Sequence, residues 1–148
     1  MAPHQKSERI IYLADDDEDD RMLFTDAVEE LDMGFIVQSA VDGKELLDAL
    51  AAEKRLPEAV FLDINMPCKN GFDCLKEIRN WKGKLQQVKI IMLSTSSSSL
   101  HITRSYKMGA DYYAVKPTSF KDLKELLKKM LDQDFKSIRK GMKKIQPA

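Results

Sequence analysis

The chain has 148 residues, 43% of them hydrophobic, and its 24 basic side chains balance its 24 acidic ones. That length suits one compact domain, able to bury roughly two-thirds of its unfolded surface without a disulfide or metal staple, and the hydrophobic share excludes a disordered chain. The neutral balance speaks against a general nucleic-acid binder, and no apolar run approaches the roughly 20 residues of a membrane span, so neither nucleic acid nor a membrane is expected as a partner.

Cys68 and Cys74 match no common zinc spacing, and His4 and His101 stand apart from them. They read as two reduced thiols of a cytoplasmic protein. No apolar segment follows a basic start, so no secretory leader is expected.

Five short apolar runs alternate with amphipathic stretches. Ile10 to Leu13 is the first run, ending at the acidic block Asp15 to Asp20, which by itself reads as solvated surface. Met22, Leu23, Ala27, Val28 and Leu31 recur at helical spacing. Phe35, Ile36 and Val37 form a second, weaker run. Asp42 is placed to cap the next helix, with Glu45 three residues on as in a capping box and Leu46, Leu47 and Leu50 as its apolar face. Ala59 to Leu62 is the third run, ending at Asp63. Phe72, Leu75 and Ile78 mark a third helix, entered after Gly71. Val88 and Ile90 to Leu93 form the fourth run, ending at Ser94, and the serines 96 to 99 read as a loop and helix cap. Leu100, Thr103 and Met108 mark a fourth helix that Gly109 stops. Tyr112 to Val115 is the fifth run, ending at Lys116 and Pro117. Phe120, Leu123, Leu126, Leu127, Met130 and Leu131 mark a fifth helix, capped by Ser119.

Runs this apolar suit strands covered on both faces. Five strand-helix units predict an α/β domain: a doubly wound (βα)5 three-layer sandwich around a five-stranded parallel sheet. It spans about residues 8–131. Residues 132–148, with Lys136, Arg139, Lys140, Lys143 and Lys144, read as a helix extension or basic tail with no output domain.

In such a sheet, ligands bind beyond the carboxyl ends of the strands. Those ends carry Asp15 and Asp16, Asp63, Ser94 with Thr95, and Lys116. Converging carboxylates repel, by roughly 4 kcal/mol for two charges about 4 Å apart at an effective dielectric near 20, so the cluster calls for a cation. All-oxygen ligands suit a hard ion such as Mg²⁺. Together with Lys116 and Ser94, that ion would receive a phosphoryl group, with Asp63 as the nucleophile forming an acyl phosphate.

Four pieces match one family in order and spacing: Asp15-Asp16, the segment Phe61 to Pro67 with Gly71 beyond it, Met92-Leu93-Ser94, and Val115-Lys116-Pro117. From about Ile10 to Met130 the chain resembles the response-regulator receiver domain of two-component systems. The stand-alone type is the nearest fit, including regulators paired with phytochrome kinases, whose acidic extension resembles Asp17 to Asp20. The resemblance implies a flavodoxin-like fold and a role in signal transduction rather than turnover catalysis. Asp63 is implied as phosphoacceptor. Asp15, Asp16 and Asp63, with the backbone carbonyl of Asn65, are implied as holding Mg²⁺ or Mn²⁺, and Ser94 and Lys116 as binding the phosphoryl group. Tyr113 is implied as the aromatic switch, turning inward as Ser94 moves, and the Lys116–Pro117 bond is often cis in the family. Implied partners are a sensor histidine kinase or phosphotransfer protein as donor and a downstream protein target. The target would meet the face of the fourth helix, fifth strand and fifth helix, a face that also serves homodimers.

Other readings fit less well. A calcium loop needs Gly where Asp20 stands. An aspartyl-nucleophile phosphatase needs an acid where Asn65 stands. A receiver-like binding module that is never phosphorylated would not need the full residue set.

Overall fold

A computed structural model describes residues 9–132; the basic tail lies outside the described residues. In chain order come β1 (Arg9–Ala14), α1 (Glu18–Leu31), β2 (Phe35–Ala40), α2 (Gly43–Ala52), β3 (Ala59–Leu62), α3 (Gly71–Arg79), a 3₁₀ turn (Lys84–Gln87), β4 (Ile90–Ser94), α4 (Ser99–Lys107), β5 (Tyr112–Val115) and α5 (Phe120–Asp132). The five strands form one parallel sheet in the order β2-β1-β3-β4-β5. This is the expected doubly wound, flavodoxin-like sandwich. The strand order reverses direction between β1 and β3, which opens a crevice at their carboxyl ends.

Strand alternation divides the core in two. Ile10, Tyr12, Val60, Leu62, Ile90, Met92 and Tyr113 face α2 and α3. Ile11, Leu13, Ala59, Phe61, Ile91, Leu93 and Tyr112 face α1 and α5. Three central strands buried on both faces explain why their runs are nearly unbroken in sequence. β2 lies at the edge and is only partly covered, which explains its weaker pattern.

The helices start where their caps dictate. α1 begins earlier than its apolar pattern suggests, because the acidic block is its start rather than plain solvated surface. The Asp17 carboxylate accepts from the Asp20 amide at 2.9 Å, and Glu18, Asp19 and Asp20 fill the first turn, where the helix dipole favours negative charge. The buried stripe of α1 is Phe24, Ala27 and Val28; Met22 and Leu23 face outward, contrary to expectation. Asp42 caps α2 as expected, although Glu45 reaches back to the Val41 amide rather than that of Asp42. Asn70, Ser98 and Ser119 cap α3, α4 and α5.

On α4 the expected face is wrong. Leu100 is 79% exposed and Thr103 is exposed, while Ser105 is the helix's fully buried residue and Ile102, Tyr106 and Met108 pack only in part. The Lys116–Pro117 bond is trans, against the expectation of cis. Trans is the ground state of an X–Pro bond by about 0.5–1 kcal/mol.

Candidate functional site

Asp15 follows β1 and Asp63 follows β3, so the two central strands deliver both carboxylates to the switch point. Each is buried, and Asp16 beside them is exposed. One carboxylate oxygen from each of Asp15, Asp16 and Asp63 lies within 4.8 Å of the others. The backbone fixes their orientation. Asp15 Oδ1 accepts from the Asp17 amide at 3.0 Å, and Arg21 holds the Asp15 carbonyl at 2.9 Å. Asp63 Oδ1 accepts from the Ile64 amide at 2.8 Å, which leaves Oδ2 facing the crevice.

Lys116, delivered by β5, reaches across to this cluster. Its Nζ lies 2.6 Å from Asp15 Oδ2, 2.9 Å from Asp20 Oδ2 and 3.3 Å from Asp63 Oδ2. Burial pulls the ammonium's pKa down, but its hydrogen bonds to Asp15 and Asp20 and the charge of Asp63 outweigh it and hold the pKa above the ordinary lysine value. Burial pushes the Asp63 carboxyl above its ordinary value; Lys116 opposes that and Asp15 adds to it. Asp15, Asp20 and Asp63 share the one ammonium of Lys116, Asp16 adds a fourth carboxylate, and Arg21 meets only the Asp15 backbone, so negative charge is in excess. That excess, built from oxygen donors alone, fits a hard divalent cation. The Asp15–Asp16–Asp63 cluster supplies an acidic pocket of the right chemistry for such an ion.

Ser94 ends β4, one strand over from Asp63, and is fully buried. Its Oγ accepts from the Ser96 amide at 3.2 Å, and its carbonyl accepts from the Lys116 amide at 2.8 Å, tying the two strand ends together. Asn65 is exposed two residues beyond Asp63. Tyr113 is fully buried, so its ring already stands inward, with its hydroxyl donating to the Ser96 carbonyl at 2.7 Å. Gly71 is required by close approach: a Cβ there would lie 2.3 Å from the Asp63 carbonyl oxygen.

Two residues of the site escaped the sequence reading. Asp20 was part of the block taken as solvated surface; its signal is its place in the first turn of α1, three residues after the Asp17 cap. Ser96, in the serine run taken as loop and cap, joins three functional elements. Its amide meets Ser94, its carbonyl meets Tyr113, and its hydroxyl lies 2.7 Å from His101 Nδ1 on α4.

Residues 11–128 match the family model of the response regulator receiver domain. The chain is 31% identical over 125 residues to the "Probable methanogenesis regulatory protein FilR2" of Methanothrix harundinacea, covering 82% of this chain and 80% of that protein. It is 39% identical over 107 residues to the transcriptional regulatory protein CpxR of Klebsiella pneumoniae, covering 72% of this chain but only 43% of CpxR. The crystal structure of the phosphorylated cyanobacterial phytochrome response regulator RcpA superposes with a TM-score of 0.76 at 26% identity, covering 83% of this chain and 91% of that one. The chain is a member of the response regulator receiver domain family of two-component signalling.

Proposed function

We propose that Asp63 is the phosphoacceptor of this receiver and that a histidine kinase or phosphotransfer protein is its donor. The observation that carries this reading is the convergence of Asp15, Asp16 and Asp63 within 4.8 Å, with Lys116 Nζ 3.3 Å from Asp63 Oδ2. A divalent ion held by the three carboxylates and the Asn65 carbonyl would neutralise the transferring phosphoryl oxygens. Asp63 Oδ2 attacks phosphorus; the donor's N–P bond breaks as the O–P bond forms, and the histidine nitrogen leaves with the electron pair. The Ile64 amide keeps the carboxylate plane fixed during that step. Lys116 then pairs with a phosphoryl oxygen, and the Ser94 hydroxyl moves to donate to another.

The readout runs through Ser96. Moving Ser94 disturbs a residue hydrogen-bonded to Tyr113 and to α4. The thin anchoring of α4 supports its response, since few apolar contacts hold it in one position. A downstream protein partner, or a second copy, would meet the α4-β5-α5 face, and the cytoplasm is the compartment this reading expects.

Intact-protein mass after incubation with acetyl phosphate and Mg²⁺ tests the reading. One phosphoryl adduct is expected, dependent on Mg²⁺ and absent from Asp63→Asn. An adduct that persists in Asp63→Asn, or none on the wild type, would refute it.

A further inference from the structure

Lys116 has a third partner that the phosphotransfer chemistry does not use. Asp20 comes from the first turn of α1, is part-exposed, and holds Lys116 Nζ at 2.9 Å, closer than Asp63 does. Its backbone is fixed by the Asp17 cap, which holds Asp20 at the rim of the site. We propose that Asp20 is a positioning residue that competes with the phosphoryl group for Lys116 and thereby sets how tightly the phosphorylated state is held.

The reason is charge exchange among a few groups. Asp15, Asp16 and Asp63 would hold a divalent ion, and two of them are the other partners of Lys116. Asp20 is not part of that cluster, so it remains as the resting partner of the ammonium. A phosphoryl group arriving on Asp63 must then share Lys116 with Asp20, which draws the ammonium toward the rim. It also meets the Asp20 charge itself, a like charge that disfavours a dianion. Asp20 thus helps the empty site draw in a cation and weakens its hold on the phosphoryl group, two effects of opposite sign from one residue.

This inference rests on the proposed phosphoacceptor reading, and the test separates the two. Titration calorimetry on the full chain measures Mg²⁺ alone, then beryllofluoride at saturating Mg²⁺, for wild type, Asp20→Asn and Asp19→Asn. Asp19 is exposed on the same turn and makes the same change in net charge. Asp20→Asn is expected to weaken Mg²⁺ about twofold and tighten beryllofluoride about fivefold, the range of one partly exposed ion pair. Asp19→Asn should change either constant by less than about twofold. The proposal is overturned if Asp20→Asn leaves beryllofluoride affinity unchanged or matches Asp19→Asn. It is equally overturned if both constants weaken together, since that is the signature of a merely structural loss. A wild type that takes up no beryllofluoride with Mg²⁺ would defeat the phosphoacceptor reading and this inference with it.

Discussion

Replacing Lys116 by Met should destabilise the metal-free protein severely and the Mg²⁺-bound protein far less. The side chain of Lys116 is 13% exposed and lies 2.6 Å and 3.3 Å from the carboxylates of two buried residues, Asp15 and Asp63. Each contact has a gross Coulomb energy of about 5–6 kcal/mol at an effective dielectric near 20, much of it offset by the cost of burial. Removing one partner of a buried ionic set costs about 3–5 kcal/mol, because the remaining charges stay buried and uncompensated. The third contact, to part-exposed Asp20, adds less than about 1 kcal/mol. For a domain of this size the loss corresponds to a drop in Tm of about 12–20 °C.

A divalent ion supplies the missing positive charge. In saturating Mg²⁺ the deficit should shrink to about 1–2 kcal/mol, or about 4–8 °C. The sign with pH is also fixed. The folded pKa of Lys116 is raised, so its stabilisation is complete below the ordinary lysine value of about 10.4 and is lost only as pH rises through the folded pKa. Measurements at pH 7.5 therefore read the whole contribution. The assay is thermal or urea unfolding of both proteins in chelator and in Mg²⁺. An equal deficit in the two conditions would refute the reasoning, since it would mean that Lys116 acts by packing and not as the resident cation.

The raised pKa of Asp63 means that its ionisation costs stability once both folded and unfolded forms are deprotonated. Asp63→Asn should therefore raise the metal-free Tm at pH 7, and the advantage should fade as pH falls through the folded pKa toward the unfolded value of about 3.9; a constant difference from pH 4 to 7 would contradict this. Gly71→Ala should cost more than about 3 kcal/mol and also reduce Mg²⁺ affinity, because the added methyl meets the Asp63 carbonyl and must displace the strand end that carries the carboxylate; calorimetry and denaturation read both. Burial, reinforced by Glu77 and Asp73, pushes the Cys74 thiol up to about 12. A thiol reagent at pH 8 should thus label Cys68, which is exposed, and reach Cys74 only in denaturant; two labels on the native protein would refute the burial of Cys74.

The strand ends were legible in sequence because a parallel sheet writes its centre as unbroken apolar runs and its ligand rim as whatever follows them. Asp15, Asp63, Ser94 and Lys116 could be found by that rule alone. The helix faces were less legible. On α1, Met22 and Leu23 are as apolar as Phe24, and only the true start of the helix, set by the Asp17 cap, fixes which of them turns inward. On α4 the inner face is Ser105, with Tyr106 bonded to the Tyr113 amide, so hydropathy points at Leu100, the wrong side. Asp20 was hidden for a different reason. A run of like charges looks uniform in sequence, and only an ammonium 96 residues away in the chain singles out one member of it.

The opposite end of the sheet shows why the acidic rim reads as function. There Arg79 and Asp111 are also buried ions, 3.0 Å apart. The guanidinium also donates to the carbonyls of Gly109, Gln86 and Val88, and the carboxylate also accepts from the Ile90 amide. Both are richly hydrogen-bonded, so the pair fastens α3 to the starts of β4 and β5. At the carboxyl ends three carboxylates share one ammonium and Asp16 adds a fourth. Ion pairs are common to both ends, and the cluster of three carboxylates stands at the rim. A fold that needed only stability would match the charges at each end, so the uncompensated negative charge at the switch point marks where a cation, and then a phosphoryl group, completes the structure.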